Sequence, residues 1–342
     1  MNILNNLIIK DYCKLMIDIK SFIHNKFIKS LQSYKNILDS TCLIVAVSGG
    51  QDSMCLIKLL KDYKKLYKWN IKIINFNHNW RQDSYLNSKA INNISLRWGF
   101  QFIYFTKYIQ NETAARKWRY NKLVQLAKDL DINYILTAHT ATDKIETSIY
   151  NFIRGSGFEG ITSLNYYQKI NTKINIIRPL VYTTRDETIW FCRKFYMPIW
   201  SDITNYSYNI KRNRIRQELI PYISKYFNNK FNKNFTHFLN IINKEVEYLQ
   251  NKSNYFYNIS KHKKHTAINR ILIGKLPLVL QRRIIRIFIY KKTKNKLNLM
   301  KTDYIIDKYT ATFHKEYYRT EIDRNWFLVK RLNWIYLVNK IN

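Results

Sequence analysis

The chain is poor in the residues that break or staple a backbone. Its 342 residues hold 7 Gly, 4 Pro and 4 Cys. So little Gly and Pro excludes collagen-like and linker-like chains. No apolar run approaches the roughly 18 residues of a membrane-spanning helix. Residues 1–20 (MNILNNLIIKDYCKLMIDIK) mix Asp, Lys and Asn into the apolar positions, unlike a signal-peptide core or an Arg- and Ser-rich transit peptide. Cys13, Cys42, Cys55 and Cys192 form no CxxC and match no zinc or iron–sulfur spacing. Free buried thiols in a reducing compartment are the plain reading.

Acid is the other scarcity. There are 23 Asp and Glu against 58 Lys and Arg, a formal charge of +35. That exceeds what solubility requires and points to a polyanionic partner, nucleic acid first. A competing source exists: Lys, Asn, Ile, Tyr and Phe are the residues of AT-rich codons. Codon drift alone does not explain why the acids stay so few. What is present is apolar mass, at 46% hydrophobic and 15% aromatic residues, enough for packed cores and against a disordered chain. The length suits two domains of roughly 150 residues each.

Residues 1–40 read as an amphipathic helical lead-in, with Phe22, Ile23, Phe27, Ile28 and Leu31 at helical spacing. CLIVAV (42–47) is a short continuous apolar run, as in a buried parallel strand. Strand patterns then recur at 71–76, 102–105, 134–138 and 174–178. Helical patterns recur at 84–98, 113–130, 142–154 and 184–196. This alternation predicts an α/β fold, a Rossmann-like parallel sheet with helices on both faces. After Pro221 it stops, and 222–290 reads as helical. WFLVKR (326–331) and WIYLV (334–338) read as a β-hairpin. The expected organisation is a lead-in over 1–40, a catalytic domain over 41–220, and a basic, mainly helical domain over 221–342. No internal repeat is visible.

Five of the seven glycines fall in two segments, SGGQDS (48–53) and RGSGFEG (154–160). Where glycine is so scarce, those that remain mark positive φ or close backbone approach. SGGQDS follows a strand and opens a helix. Ser48, Gly49, Gly50, Gln51 and Ser53 there suit a phosphate-binding turn whose N–H groups converge on an anion. Asp52 would repel phosphate directly but suits Mg²⁺ bound to it. The plainer alternative is a tight turn with capping Ser and Asp. The spacing is not that of a Walker A loop.

AHTATDKIET (138–147) also runs from a strand into a helix. His139, Asp143 and Glu146 share a face if the helix includes His139, and the acids suit an amine or a metal. The competing reading is a solvated face with a capping acid. Arg116 and Arg119 in ETAARKWRY (112–120) lie one turn apart and suit phosphate or a leaving group. KRNRIR (211–216) supplies Arg212, Arg214 and Arg216, a dense basic run suited to phosphate contacts.

Taken in order, these segments resemble the tRNA(Ile)-lysidine synthetases of the PP-loop ATP pyrophosphatase superfamily. The matching pieces are SGGQDS, NHNWR (77–81), ETAARKWRY, AHTATDKIET, RGSGFEGITSL (154–164), RPL (178–180), and the run from Trp200 through RNRIRQELIP (212–221). The likeness covers roughly residues 40–221. SGGxDS is common to the superfamily, and the full combination is more specific. Thr140, Thr142 and Lys144 stand where the family usually has His, Asp and Gln, so no role passes to them. The Thr-bearing form looks like the cyanobacterial and plastid versions.

The resemblance implies a PP-loop (adenine nucleotide alpha hydrolase-like) sheet. It implies ligation of L-lysine to C2 of the first anticodon cytidine of tRNA(Ile) with a CAU anticodon. ATP would be split to AMP and pyrophosphate through an adenylated cytidine, with Mg²⁺ on Asp52. Residues 48–53 would bind the ATP phosphates. Arg116 would stabilise developing charge, and Asp143 and Glu146 would hold the lysine ammonium. His139 would lie nearby as a structural or acid–base partner. Arg212, Arg214, Arg216 and the C-terminal domain would grip tRNA. The alternatives are another PP-loop tRNA enzyme, a thiolase, or a tRNA-binding homologue that has lost catalysis. The expected location is the stroma of a plastid that encodes the protein, or else a bacterial cytoplasm. No membrane partner is expected, and a homodimer is left open.

Overall fold

The computed structural model describes residues 21–32, 35–39, 42–78, 84–109, 111–200, 208, 210–310 and 317–340. Residues 1–20, with Cys13, lie outside the described residues, as do 79–83 of the segment around NHNWR and 201–207 after Trp200. The chain divides into two compact units, Met1–Leu239 and Asn240–Asn342.

In the first unit the expected alternation forms one six-stranded sheet. Its strands are β1 (Cys42–Ala46), β2 (Asn70–Asn77), β3 (Gln101–Thr106), β4 (Tyr134–Thr137), β5 (Tyr167–Lys169) and β6 (Asn175–Ile177). The order is β3-β2-β1-β4-β6-β5, with every pairing parallel except the antiparallel edge β5. The connecting helices are α1 (Phe22–Gln32), α2 (Gln51–Tyr67), α3 (Ser84–Arg97), α4 (Glu112–Asp129), α5 (Ala141–Ile153) and α6 (Arg185–Lys194).

Alternation along β1 shows why both faces are covered. Leu43 and Val45 enter one core with Phe27, Leu56, Leu60 and Phe191. Ile44 points the other way, into a core with Ile74, Leu123, Ile135 and Ile176. The lead-in is thereby part of the packing, since Ile23, Phe27 and Leu31 of α1 are fully buried in the first core. From β1 the chain builds outward to β3 on one side and through β4 on the other. The carboxyl ends of β1 and β4 therefore flank the switch point where such sheets bind ligands.

In the second unit the expected hairpin is present as β9 (Trp326–Arg331) and β10 (Trp334–Asn339). It belongs to a larger antiparallel sheet, ordered β7-β10-β9-β8, with β7 (Ala267–Asn269) and β8 (Tyr317–Asp323). The helical reading of 222–290 thus misses β7, three residues long and too short to show a period. Helix α7 (Phe231–Ser260) from Asn240 onward, with α8 (Leu278–Thr293) and α9 (Leu299–Thr310), makes up most of the rest. Ile284, Phe288, Ile305 and Tyr309 pack on Leu328 and Ile335 of the sheet. Among the described residues, no helix is long and apolar enough to cross a membrane.

Arg178, of the RPL segment, is 2% exposed. Its guanidinium donates to the Asn165 carbonyl at 2.8 Å and to Gln168 Oε1 at 2.7 Å, tying the β5 edge to the sheet. Removing it breaks both ties and leaves a gap where the buried guanidinium sat. Arg178→Ala is expected to lower the unfolding free energy by about 2–4 kcal/mol, and Arg178→Lys to restore little, because one ammonium cannot reproduce the fork. Urea titration of both variants checks this.

Candidate active site

The phosphate-loop expectation rests on two features of the turn at 47–50. Gly49 adopts φ +87°, and a Cβ there would meet Asn87 Oδ1 at 2.0 Å. Asn87 also donates from Nδ2 to the Ser48 carbonyl at 2.9 Å, so α3 braces the turn. Gly50 is the N-cap of α2, and no side chain caps that terminus. The 17-residue helix therefore presents its first N–H groups to a ligand rather than to a capping residue. Ser53 Oγ accepts from the Gly49 N–H at 3.1 Å and donates to the Gly50 carbonyl at 2.8 Å, which fixes the loop. Trp200 N–H closes it from the far side onto the Gly49 carbonyl at 3.0 Å.

A cavity of about 580 Å³ opens at this turn. Ser48, Gly50, Gln51, Asp52 and Ser53 line it on one side, Arg116, Arg119 and Tyr120 on another, and His139, Asp143, Arg185 and Arg216 on a third. Residues nominated from four separate segments thus meet in one hollow at the switch point. Arg116 lies over the Tyr120 ring at 5.2 Å, which orients its guanidinium.

The acids are held by arginines. Thr188 Oγ1 donates to Asp52 Oδ1 at 2.5 Å, and Arg185 Nη2 to Asp52 Oδ2 at 3.3 Å. Burial, reinforced by the neighbouring Asp143 charge, outweighs Arg185 and Thr188 and lifts the Asp52 carboxyl above its ordinary range. Asp143 forms a capping box with Thr140, whose N–H donates to Asp143 Oδ2 at 2.8 Å. Arg212 and Arg185 reach Asp143 Oδ1 at 3.0 and 3.4 Å. Burial alone would raise this carboxyl. The guanidiniums of Arg212 and Arg185, with the Thr140 N–H, override burial and hold it well below the usual carboxylate range.

Glu146 is fully buried. Arg212 Nε reaches it at 2.9 Å and Arg216 Nε at 2.5 Å, with Arg185 Nη1 at 3.8 Å. Burial costs the Arg216 charge, but its bonds to Glu146 win and raise its pKa.

The geometry sorts the nominated residues. Ser48, Gly50, Gln51, Asp52, Ser53, Arg116, His139 and Asp143 share the cavity wall, while Gly49 shapes the turn without lining it. Glu146 sits behind it, enclosed by guanidiniums. Arg212 and Arg216 are one helical turn apart and both turn inward to the acids, rather than outward to solvent. Arg214, between them, is exposed and pairs with Glu218 at 2.9 Å. The segment changes from α-helix (Lys211–Arg214) to a π-helical turn (Ile215–Leu219) where Arg216 reaches Glu146, a local widening typical of functional sites.

The condition that would place His139 on one helical face with Asp143 and Glu146 is not met. The N-cap is Thr140, because its side chain makes the capping box, and His139 lies before it. Its Nδ1 pairs with Thr137 Oγ1 at 2.9 Å.

Arg185 and Thr188 stand in no motif of the sequence. Only the capping box at Thr184, with Glu187 as its partner, gives a local signal, and it marks a helix start rather than a site. Thr142, one of the departures from the family pattern, accepts the Arg185 N–H at 3.1 Å and so helps seat α6. Among the described residues there is no cluster of three or more His, Cys, Asp or Glu able to hold a metal by itself. Cys42, Cys55 and Cys192 are free thiols.

Burial, reinforced by Arg178, Arg116 and Arg212 against the opposing Asp143 charge, pulls His139 down to about 3. Burial and Arg119 pull His78 down to about 4. Both imidazoles stay neutral in the folded protein while the unfolded chain takes up protons near pH 6.5. Stability should therefore fall as pH drops from about 6.5 toward these values, by up to about 1.4 kcal/mol per pH unit for each group. His139→Gln should flatten part of that slope. Urea midpoints between pH 7 and 5 check it.

Comparison with known proteins identifies the family. The PP-loop domain family matches residues 23–223. The chloroplastic tRNA(Ile)-lysidine synthase of Pyropia yezoensis is 38% identical, across 84% of this chain and 88% of its own length. The tRNA(Ile)-lysidine synthase of Nostoc sp. is 36% identical, across 77% of this chain and 82% of its own. Among solved structures, the U34-tRNA thiolase NcsA from Methanococcus maripaludis shares the fold, with a TM-score of 0.54 at 15% identity over 64% of this chain and 78% of that one. With the PP-loop domain matched over residues 23–223 and these relatives along most of its length, the chain belongs to the tRNA(Ile)-lysidine synthase family of PP-loop proteins.

Proposed function

We propose that this protein ligates L-lysine to C2 of the first anticodon cytidine of tRNA(Ile) with a CAU anticodon, driven by ATP cleavage. The observation that carries the reading is the single cavity joining an uncapped helix N-terminus, the Arg116 guanidinium and an arginine-held acid pair. Those are the parts needed to activate a carbonyl with a nucleotide and then deliver an amine to it.

The turn at 48–53 and the N-terminus of α2 bind the triphosphate. The cytosine O2 attacks the α-phosphorus, an O–P bond forms, and pyrophosphate leaves. Arg116 stabilises the charge that builds on the phosphoryl oxygens. The lysine amine then attacks C2, the C–O bond breaks, and AMP leaves with the electron pair. Asp143, ionised at the cavity wall, holds the incoming ammonium, whose proton passes to solvent water before the amine attacks. Glu146 backs it by fixing Arg212 and Arg216. His139 is a neutral neighbour that orients the strand end through Thr137.

Asp52 and the Ser48 and Ser53 hydroxyls are hard oxygen donors of the kind Mg²⁺ takes, so these residues fit the ion. Bound there with the nucleotide, Mg²⁺ would neutralise phosphate charge. Arg214 and the domain over 221–342 are assigned to tRNA phosphates. Chloroplastic relatives support a plastid location, and the Nostoc relative supports a bacterial cytoplasm as the alternative.

The decisive experiment incubates the protein with Mg-ATP, labelled lysine and an unmodified CAU-anticodon transcript, then weighs the anticodon fragment. A lysine-sized gain on the first anticodon cytidine, absent with elongator methionine tRNA, is expected. No gain despite salt-sensitive tRNA binding would sink the reading. Asp52→Ala should abolish turnover with tRNA affinity nearly intact. Asp143→Asn should raise the KM for lysine at least about tenfold, the scale of one lost buried charge contact.

A further inference from the structure

The second unit presents a sheet face that its own core does not use. Along β8, β9 and β10, Ile322, Leu328, Ile335 and Leu337 point into the core with α8 and α9. The alternate residues point away. The register aligns these outer side chains in rows: Tyr317, Arg331 and Trp334 in the first, Arg319, Val329 and Tyr336 in the second. Tyr317 is 58% exposed and Arg331 is exposed.

A basic loop flanks this face. Residues 261–265 read KHKKH. His262 makes a T-shaped contact with Trp334 at 4.6 Å, and His265 lies 6.3 Å from Tyr336, so the loop sits beside the aromatics. Lys263 and Lys264 are exposed. In the third row Glu321 is paired with Lys340 at 2.6 Å, which neutralises its carboxylate. Across residues 240–342 Lys and Arg outnumber Asp and Glu about threefold.

We infer that this outer face is a stacking platform for unpaired RNA nucleotides, with Trp334, Tyr336 and Tyr317 receiving bases and Arg331 and the 261–265 loop holding phosphates. Charge complementarity commits the face to a polyanion, and the aromatic rows commit it to one with exposed bases. A four-stranded antiparallel sheet with helices on one face and aromatics on the other binds single strands by stacking, because every base offers a π-face. A phosphate-only grip would need the lysines but not the ordered rings. The inference rests on the reading of the protein as a tRNA enzyme and extends it. Recognition by the C-terminal unit then includes base stacking on a sheet, beyond phosphate contacts from helices.

The test uses the full chain with fluorescent oligouridylate of about twelve nucleotides, and with the CAU-anticodon transcript, across a salt series. Each stacked base contributes about 1–3 kcal/mol, roughly 5- to 150-fold in affinity. Trp334→Leu and Tyr336→Leu should each weaken both ligands about tenfold with the salt slope unchanged. Trp334→Phe should recover most of the loss. Arg331→Ala should instead reduce the salt slope by about one. Tyr317→Ala, on an exposed ring, gives a weaker loss and guards against misfolding of the tryptophan variant.

Wild-type affinity in Trp334→Leu and Tyr317→Ala overturns the proposal. So does unchanged RNA affinity combined with loss of a dimer in sedimentation, which would make the face a self-interface. If wild-type protein makes no lysidine yet its oligouridylate binding depends on Trp334, the catalytic reading fails and the platform stands. If lysidine forms and the variants change neither affinity nor KM for tRNA, the platform fails alone.

Discussion

The carboxylate of Glu146 has no exposure to solvent, and the rest of the candidate site is arranged around that fact. An isolated buried carboxylate would cost several kcal/mol, so it must be paired or neutralised. Arg212 and Arg216 pair it, and Arg185 stands within 3.8 Å. The same arginines reach Asp143, and Arg185 continues to Asp52. Three acids and three arginines thus form one network that joins the phosphate loop, the start of α5, α6 and the segment after residue 210.

That network changes the meaning of the charge imbalance. A protein with 58 Lys and Arg has cations everywhere, and acids are its scarce resource. Three of its 23 acids are concentrated at one cavity, where each has arginine partners. In a polycationic protein an amine substrate is repelled from nearly every surface. Three arginines balance these three acids, so the cavity offers an amine carboxylate acceptors rather than a net negative field. The two arginines of α4 on the opposite wall suit anionic groups, so one cavity offers separate places for phosphate and amine.

Local patterns are legible where the physical cause is local. Apolar alternation along β1 announces a strand covered on both faces. Glycine scarcity points to the positive φ at Gly49, although Gly157 has an ordinary φ and open space where a side chain would go. Thr140 to Asp143 and Thr184 to Glu187 mark helix starts through capping. What escapes is nonlocal. Arg185 carries no motif, since its role comes from α6 packing against α2, more than 130 positions away in the chain. Spacing groups Arg212, Arg214 and Arg216 as one phosphate grip, but helical geometry splits them, two inward to acids and one outward to Glu218.

The sequence by itself determined the class of sheet, the glycine turn at 48–53, the helix that carries Asp143 and Glu146, and the family. Each of these is written in neighbouring residues through periodicity, glycine placement and capping. Only the tertiary structure decided which acids meet which arginines, that His139 precedes its helix as a half-buried neutral ring, and that β7 and β8 join the final hairpin into a four-stranded sheet. Ion pairing, burial and strand pairing depend on distances between segments far apart in the chain, and no local pattern encodes those distances.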